Sequence, residues 1–177
     1  MHKGGVEMGD IIHLFKGGNM MKGDVTIFDV ANYFLSKLNV NEGSSITPLK
    51  LQKLVYYAQA WSLVWDDKPL FNEPMEAWAH GPVNSELYNE YKSYGWRGID
   101  PVDGADLNMF TEEQLETMDA VWDGYGDYDG KYLERLTHQE DPWIEARRDC
   151  LPGEFCANVI SMESMKVYYT KMYNGEI

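Results

Sequence analysis

The chain has 177 residues, 44% of them hydrophobic and 14% aromatic, with six Trp and twelve Tyr; that is one domain's length with enough apolar material for one core, which excludes intrinsic disorder. Its formal net charge of −14 excludes non-specific binding to nucleic acid or to an anionic membrane, since both depend on Lys and Arg neutralising phosphate. No apolar run approaches the ~18 residues that span a bilayer, and Cys150 and Cys156, neither a zinc-type ligand pair nor a dense framework, are expected to be reduced thiols of a cytoplasmic protein without metal or cofactor.

The N-terminal stretch is unlike the rest. Lys3-Gly4-Gly5 is followed shortly by Met8, and Lys16-Gly17-Gly18 by Met20 and Met21; Lys-Gly-Gly codons can spell a bacterial ribosome-binding sequence. Residues 1–20 are therefore expected to be a disordered leader or translated upstream sequence, and residues 21–177 the domain, with an amphipathic N-terminal arm as the alternative. Thr26 and Asp29 make a capping-box-like start to a first helix that carries Ile27, Val30, Ala31, Phe34 and Leu38 at helical spacing, before a loop from Asn39 to Ser45.

Thr47 and Pro48 cap a second helix, whose buried stripe is expected to be Leu51, Leu54, Val55, Ala58, Trp61, Ser62 and Trp65. Lys50, Gln52, Lys53, Tyr56 and Gln59 fall on its other faces, which predicts a mildly basic outward side. After the Asp66–Pro69 turn, Leu70-Phe71 and Met75 to His80 read as extended segments of a small hairpin, stopped by Gly81-Pro82. Asn84 caps a helix with Leu87, Tyr88, Tyr91 and Tyr94 that ends at Gly95; Trp96 to Asn108 is loop. Thr111 and Gln114 form a capping box for the next helix, Asp129 caps a short one, Asp141-Pro142 starts another, and Ser161 caps a last helix with Met165, Tyr168 and Met172 recurring. These elements predict a mainly α fold: one compact helical domain with a small β-hairpin.

Acidity is concentrated in one third of the chain. Between Asp100 and Glu145 there are fourteen acidic residues against Lys131 and Arg135. This stretch is either a solvated surface that keeps the protein soluble or a docking face for a cationic partner, with Asp103, Asp106, Glu112 and Glu116 as candidate contacts. The glycine pairs are not phosphate loops, and no nucleophile elbow or zinc-protease helix occurs. His80 and His138 have the chemistry of metal ligands or bases, but no ligand spacing accompanies them. They are read as fixing the turn before Gly81-Pro82 and the Thr137–Asp141 corner respectively. Trp61, Trp65, Trp78 and Trp143 are expected to be core.

Thr47-Pro48-Leu49-Lys50-Leu51-Gln52-Lys53-Leu54, Ala77-Trp78 followed by Gly81-Pro82-Val83, Leu87-Tyr88, and Leu136-Thr137-His138 with Asp141-Pro142-Trp143 stand in an order and separation that resemble the Panacea antitoxin family, the SocA-like proteins also called GepA-type phage-associated proteins. The resemblance runs from about Val25 to the last helix, and the family's usual Tyr or His before Gly-Pro-Val is His80. It implies a mainly α domain encoded in prophages or mobile elements that acts as the antidote of a toxin–antitoxin pair by binding a cognate toxin protein. It also implies that Pro48, Leu51, Gln52, Lys53, Trp78, His80, Gly81, Pro82, Val83, Tyr88, Thr137, His138 and Trp143 are scaffold, with no catalytic role. Two alternatives stand beside it: a phage-associated regulatory protein that binds another host protein, and a small metal-dependent hydrolase centred on His80 and His138.

Overall fold

The computed structural model describes residues 23–38 and 43–177. The expected leader over residues 1–20 and most of the expected loop after the first helix lie outside the described residues. Among the described residues seven helices and one hairpin follow in the order α1 (Ile27–Ser36), α2 (Pro48–Trp65), β1 (Glu76–Trp78), β2 (Gly81–Val83), α3 (Ser85–Tyr91), α4 (Glu112–Tyr125), α5 (Gly130–Thr137), α6 (Asp141–Ala146) and α7 (Met162–Tyr173), with single 3-10 turns at Lys92–Tyr94 and Leu107–Met109. The fold is mainly α with a small hairpin, as the sequence predicts. Thr26 and Thr111 close their capping boxes with Asp29 and Gln114, and Thr47, Asn84, Asp129 and Ser161 each accept from a backbone N–H of the first turn. Such caps satisfy donors that have no partner inside the helix.

α2 is the axis of the molecule. The expected basic outward face does not exist: every residue from Lys50 to Leu63 is buried, because α1, α4, α5, α7 and β2 all pack around this helix. The polar side chains on the supposed outer faces turn out to be fasteners. Gln59 accepts from Leu70 N and Phe71 N and donates to Phe71 O, which ties the segment after the helix back onto it. Lys53 Nζ donates to Pro82 O at 3.1 Å. Trp65 departs in the other direction: it stacks on Trp61 with ring centroids 4.7 Å apart but is 40% exposed at the helix end.

The hairpin differs from its expected form. Glu76 pairs with Val83, Ala77 with Pro82 and Trp78 with Gly81, so Ala79 and His80 make the turn and Gly81-Pro82 is the return strand, not its stop. Gly81 has φ +94°, and a Cβ there would stand 2.7 Å from Lys53 Cε and 2.8 Å from Thr137 Oγ1. Glycine both reaches that backbone conformation and lets the strand lie against α2 and α5. The other edge of β1 is covered by the segment before α7, through Ala77 N to Asn158 O at 2.9 Å and Ile160 N to Met75 O at 2.8 Å. Its donors are thus paired rather than open to another chain.

A further expectation is corrected. Cys150 and Cys156, expected to be free thiols, are joined in a disulfide, the turn at Leu151–Gly153 bringing their Cα atoms to 6.1 Å, within the usual span of such a bond. α6 starts at Asp141-Pro142, as expected. Asp141 is the first residue of that helix, while Glu140 holds the cap position without a side-chain cap bond and sends its carboxylate into the core. In α7 the inward aromatic is Tyr169, with Tyr168 only half-buried.

Candidate docking cleft

The motif pieces, scattered over nearly a hundred residues, converge on the hairpin. Gln52, on α2, accepts from Asn84 N at 2.9 Å and donates to Asn84 O at 3.1 Å. Asn84 in turn donates to Pro74 O and caps α3 through Leu87 N. One glutamine thus fixes the junction between β2 and α3. From the other side Thr137 Oγ1 donates to Glu134 O and closes on Gly81, and Trp143 Nε1 donates to Trp78 O at 2.9 Å. The His138 ring stacks on Trp143 at 4.1 Å; it does not supply the corner of hydrogen bonds expected of it, and its Nε2 is buried without a partner among the described residues. Burial lowers the His138 pKa and so keeps the ring neutral.

These contacts hold open a cleft of about 360 Å³. Pro48 and Leu49 from the start of α2, Val83 from β2, and Trp78 and Tyr88 make its apolar walls, and Gln52 lies beneath. Trp78 and Tyr88 meet edge-to-face at 5.0 Å, and Phe155 of the disulfide loop meets the Trp78 ring at 5.4 Å. Trp78, expected to be core, is only half-buried because one face of its ring is a cleft wall. Trp96 completes the rim and is 79% exposed.

The rim is cationic in an acidic protein. Among the described residues the charged side chains lining the cleft are Lys92 and Lys131, with His80 beside them. His80 Nδ1 and Lys131 Nζ share one carboxylate, Glu134, at 2.9 and 2.8 Å. Burial would raise the Glu134 pKa, but the hydrogen bonds from Lys131 and His80 outweigh it and hold the carboxyl below the usual range. Lys131 Nζ also lies 5.6 Å from the Trp96 ring centroid. Among the described residues Lys92 Nζ donates only to the Asn89 side-chain oxygen, at 3.0 Å.

Under the other side of α2 lies a polar centre without access to the cleft. Glu140 accepts from Tyr57 at 3.2 Å and from Tyr169 at 2.6 Å. Tyr169 is also within 3.3 Å of the Tyr56 hydroxyl. Burial pushes the Glu140 carboxyl up to about 7 against the opposing pull of these hydroxyls. Arg147 is a second buried charge, donating to Ala77 O at 2.7 Å and to the Leu151 and Glu154 carbonyls. It thereby pins the disulfide loop to β1.

Asp103, Asp106, Glu112 and Glu116, the candidate partner contacts of the acidic stretch, are all exposed and none lines the cleft. Sequence reading overlooked Lys92, Trp96 and Lys131 as neighbours of the motif, because they touch it only through the hairpin's position on α2. It also overlooked Glu140 with Tyr56, Tyr57 and Tyr169. The one available signal was the run of tyrosines on a helix otherwise hydrophobic. Among the described residues no group of three or more His, Cys, Asp or Glu stands close enough to hold a metal, and no helix is long and apolar enough to cross a membrane.

The helical scaffold thus presents an aromatic cleft with a basic rim. The family model described as Antitoxin SocA-like, Panacea domain, matches residues 51–144, more than half of the chain, and the protein belongs to that antitoxin-like family. The chain is also similar to Antitoxin SocA of Caulobacter vibrioides (strain NA1000 / CB15N), 39% identical over 66 residues. That similarity covers 37% of this chain and 35% of the relative, so it spans about a third of the relative's length. No solved structure matches the chain.

Proposed function

We propose that this protein is the antidote of a toxin–antitoxin pair carried by a phage or mobile element, and that it neutralises a cognate toxin protein by direct, non-enzymatic contact. The observation that carries the reading is the family match over residues 51–144, the segment that includes most of α2, the hairpin, α3, α4 and α5. Within it the motif side chains are engaged in fixing backbone: Gln52 on Asn84, Lys53 on Pro82, and Trp143 on Trp78. Side chains bonded in this way suit a platform for a partner better than a reacting centre, which needs a free nucleophile or base within reach of a substrate.

Co-expression with the protein encoded beside this chain tests the proposal. The neighbour alone should stop growth, the pair should grow, and the two proteins should co-purify as a stable complex. A harmless neighbour, or growth restored with no complex formed, would overturn it.

A further inference from the structure

We propose that the cleft beside the hairpin receives a short linear segment of the partner protein in which a large aromatic side chain is followed by an acidic one. This rests on the reading of the protein as a partner-binding antitoxin and names what its cleft would grasp. At about 360 Å³ the cleft is at the small end of the ~300–1,000 Å³ typical of ligand sites. It has room for one large side chain and the backbone beside it, not for a folded element. Trp78 and Tyr88 already meet edge-to-face, and Trp96 stands on the rim with most of its surface in water. An incoming ring would cover all three and bury the apolar surface of Pro48, Leu49 and Val83 as well. Aromatic anchors in such pockets carry a large share of interface energy.

The charge of the rim selects the neighbour of that anchor. Among the described residues Lys131 meets one carboxylate, Glu134, which it shares with His80. Lys92 meets no carboxylate among the described residues. A carboxylate on the ligand supplies the missing partner. A nucleic acid does not fit, since two lysines cannot offset the repulsion of a chain with net charge −14.

The acid belongs to a side chain rather than a chain terminus. Terminal carboxylates are captured by clusters of free backbone N–H groups, whereas here Asn84 N is bonded to Gln52, Leu87 N to Asn84 Oδ1 and Gly95 N to Lys92 O. The rim offers two long, point-charge cations on different elements, α5 and the turn after α3. None of Lys92, Trp96 and Lys131 belongs to the motif that builds the scaffold. They are therefore free to set which segment is chosen.

The test is selection of a random twelve-residue peptide library on the full chain, followed by titration of the enriched sequence as a synthetic peptide blocked at both ends. Enriched peptides should carry Trp, Phe or Tyr with Asp or Glu one or two positions later. Lys92→Glu and Trp96→Ala change exposed side chains, so both variants should melt with the wild type, and each should weaken the blocked peptide at least tenfold. Selection on Lys92→Glu should replace the acid by Lys or Arg. An absence of any such motif, affinity unchanged in both variants, or binding only by peptides with a free C-terminal carboxylate would overturn the inference. The toxin complex keeps the two readings separate. A complex that forms normally with Lys92→Glu and Trp96→Ala removes the cleft but leaves the antidote; a chain that selects the motif yet rescues nothing removes the antidote but leaves the cleft.

Discussion

Glu140 is an acid that folding deprives of water and compensates with tyrosine hydroxyls, and the compensation is incomplete, because its pKa rises from 4.5 to about 7. Between those values the folded protein keeps a proton that the unfolded chain releases. The stability that Glu140 contributes is therefore fully present below about pH 4.5 and lost as pH rises through about 7, on the order of 3 kcal/mol in all at 1.36 kcal/mol per unit. Lys53 has the opposite sign: burial lowers it from 10.5 to about 7, so its contribution is present above 10.5 and lost as pH falls through 7. Glu140→Gln isolates the acid. Urea unfolding of both proteins from pH 5 to pH 8 should show the wild type losing stability relative to the variant as pH rises, and parallel curves would mean that Glu140 is not buried as described. Gly81 is the second residue on which the fold depends. Gly81→Val must accept a positive φ and displace Lys53 Cε and Thr137 Oγ1, neither of which has room to retreat in the core. The left-handed conformation alone costs ~1–2 kcal/mol, so a loss of at least about 2 kcal/mol in denaturant unfolding is expected, and a variant as stable as wild type would refute this account of the turn.

The helices were legible one by one because their starts are chemical: Thr26, Thr47, Asn84, Thr111, Asp129 and Ser161 all cap where the sequence predicts. Their faces were less legible. Periodicity divides a helix into an apolar and a polar side on the assumption that the polar side meets water, and α2 breaks it by spending Lys53, Gln52 and Gln59 on buried carbonyls and amides. The hairpin lies one turn later than Gly-Pro suggests, because Gly-Pro usually stops a strand whereas Pro82 here occupies a strand position whose carbonyl is taken by Lys53. The cleft was half legible: Pro48, Trp78, His80, Val83 and Tyr88 were singled out, but as scaffold, and Lys92, Trp96 and Lys131 carry no pattern that local reading detects. The disulfide was missed because a six-residue separation is neither a metal pair nor part of a framework; it depends on the turn at Pro152 and on Arg147 drawing the Leu151 and Glu154 carbonyls inward. Closing so short a loop should stabilise the domain by about 2 kcal/mol. Chemical denaturation with and without reductant measures this, and a midpoint indifferent to reduction would show the bond to be energetically idle.

At the scale of the whole molecule, charge and shape should act at different stages of partner binding. Asp103, Asp106, Glu112 and Glu116 are exposed and outside the cleft, so on the proposed reading their field would act on the approach of a cationic partner rather than on its hold in the cleft. Screening shortens that field to ~8 Å at physiological ionic strength. Reversing these four charges should slow association with the co-encoded toxin and flatten its salt dependence, while leaving dissociation nearly unchanged; an association rate indifferent to salt and to the reversals would leave the acidity as a solubility device. Whether the bound complex is itself the antidote is decided by the two histidines. His80 is exposed and bonded to Glu134, and His138 is stacked on Trp143; if chemistry rather than contact neutralised the toxin, these imidazoles would be its candidate bases. Replacing both with Gln keeps hydrogen-bonding capacity and removes the imidazoles. A folded double variant, confirmed by its melting transition, should bind the toxin and restore growth as the wild type does. If it binds yet fails to protect, binding is not sufficient, and the protein acts on its toxin as a catalyst.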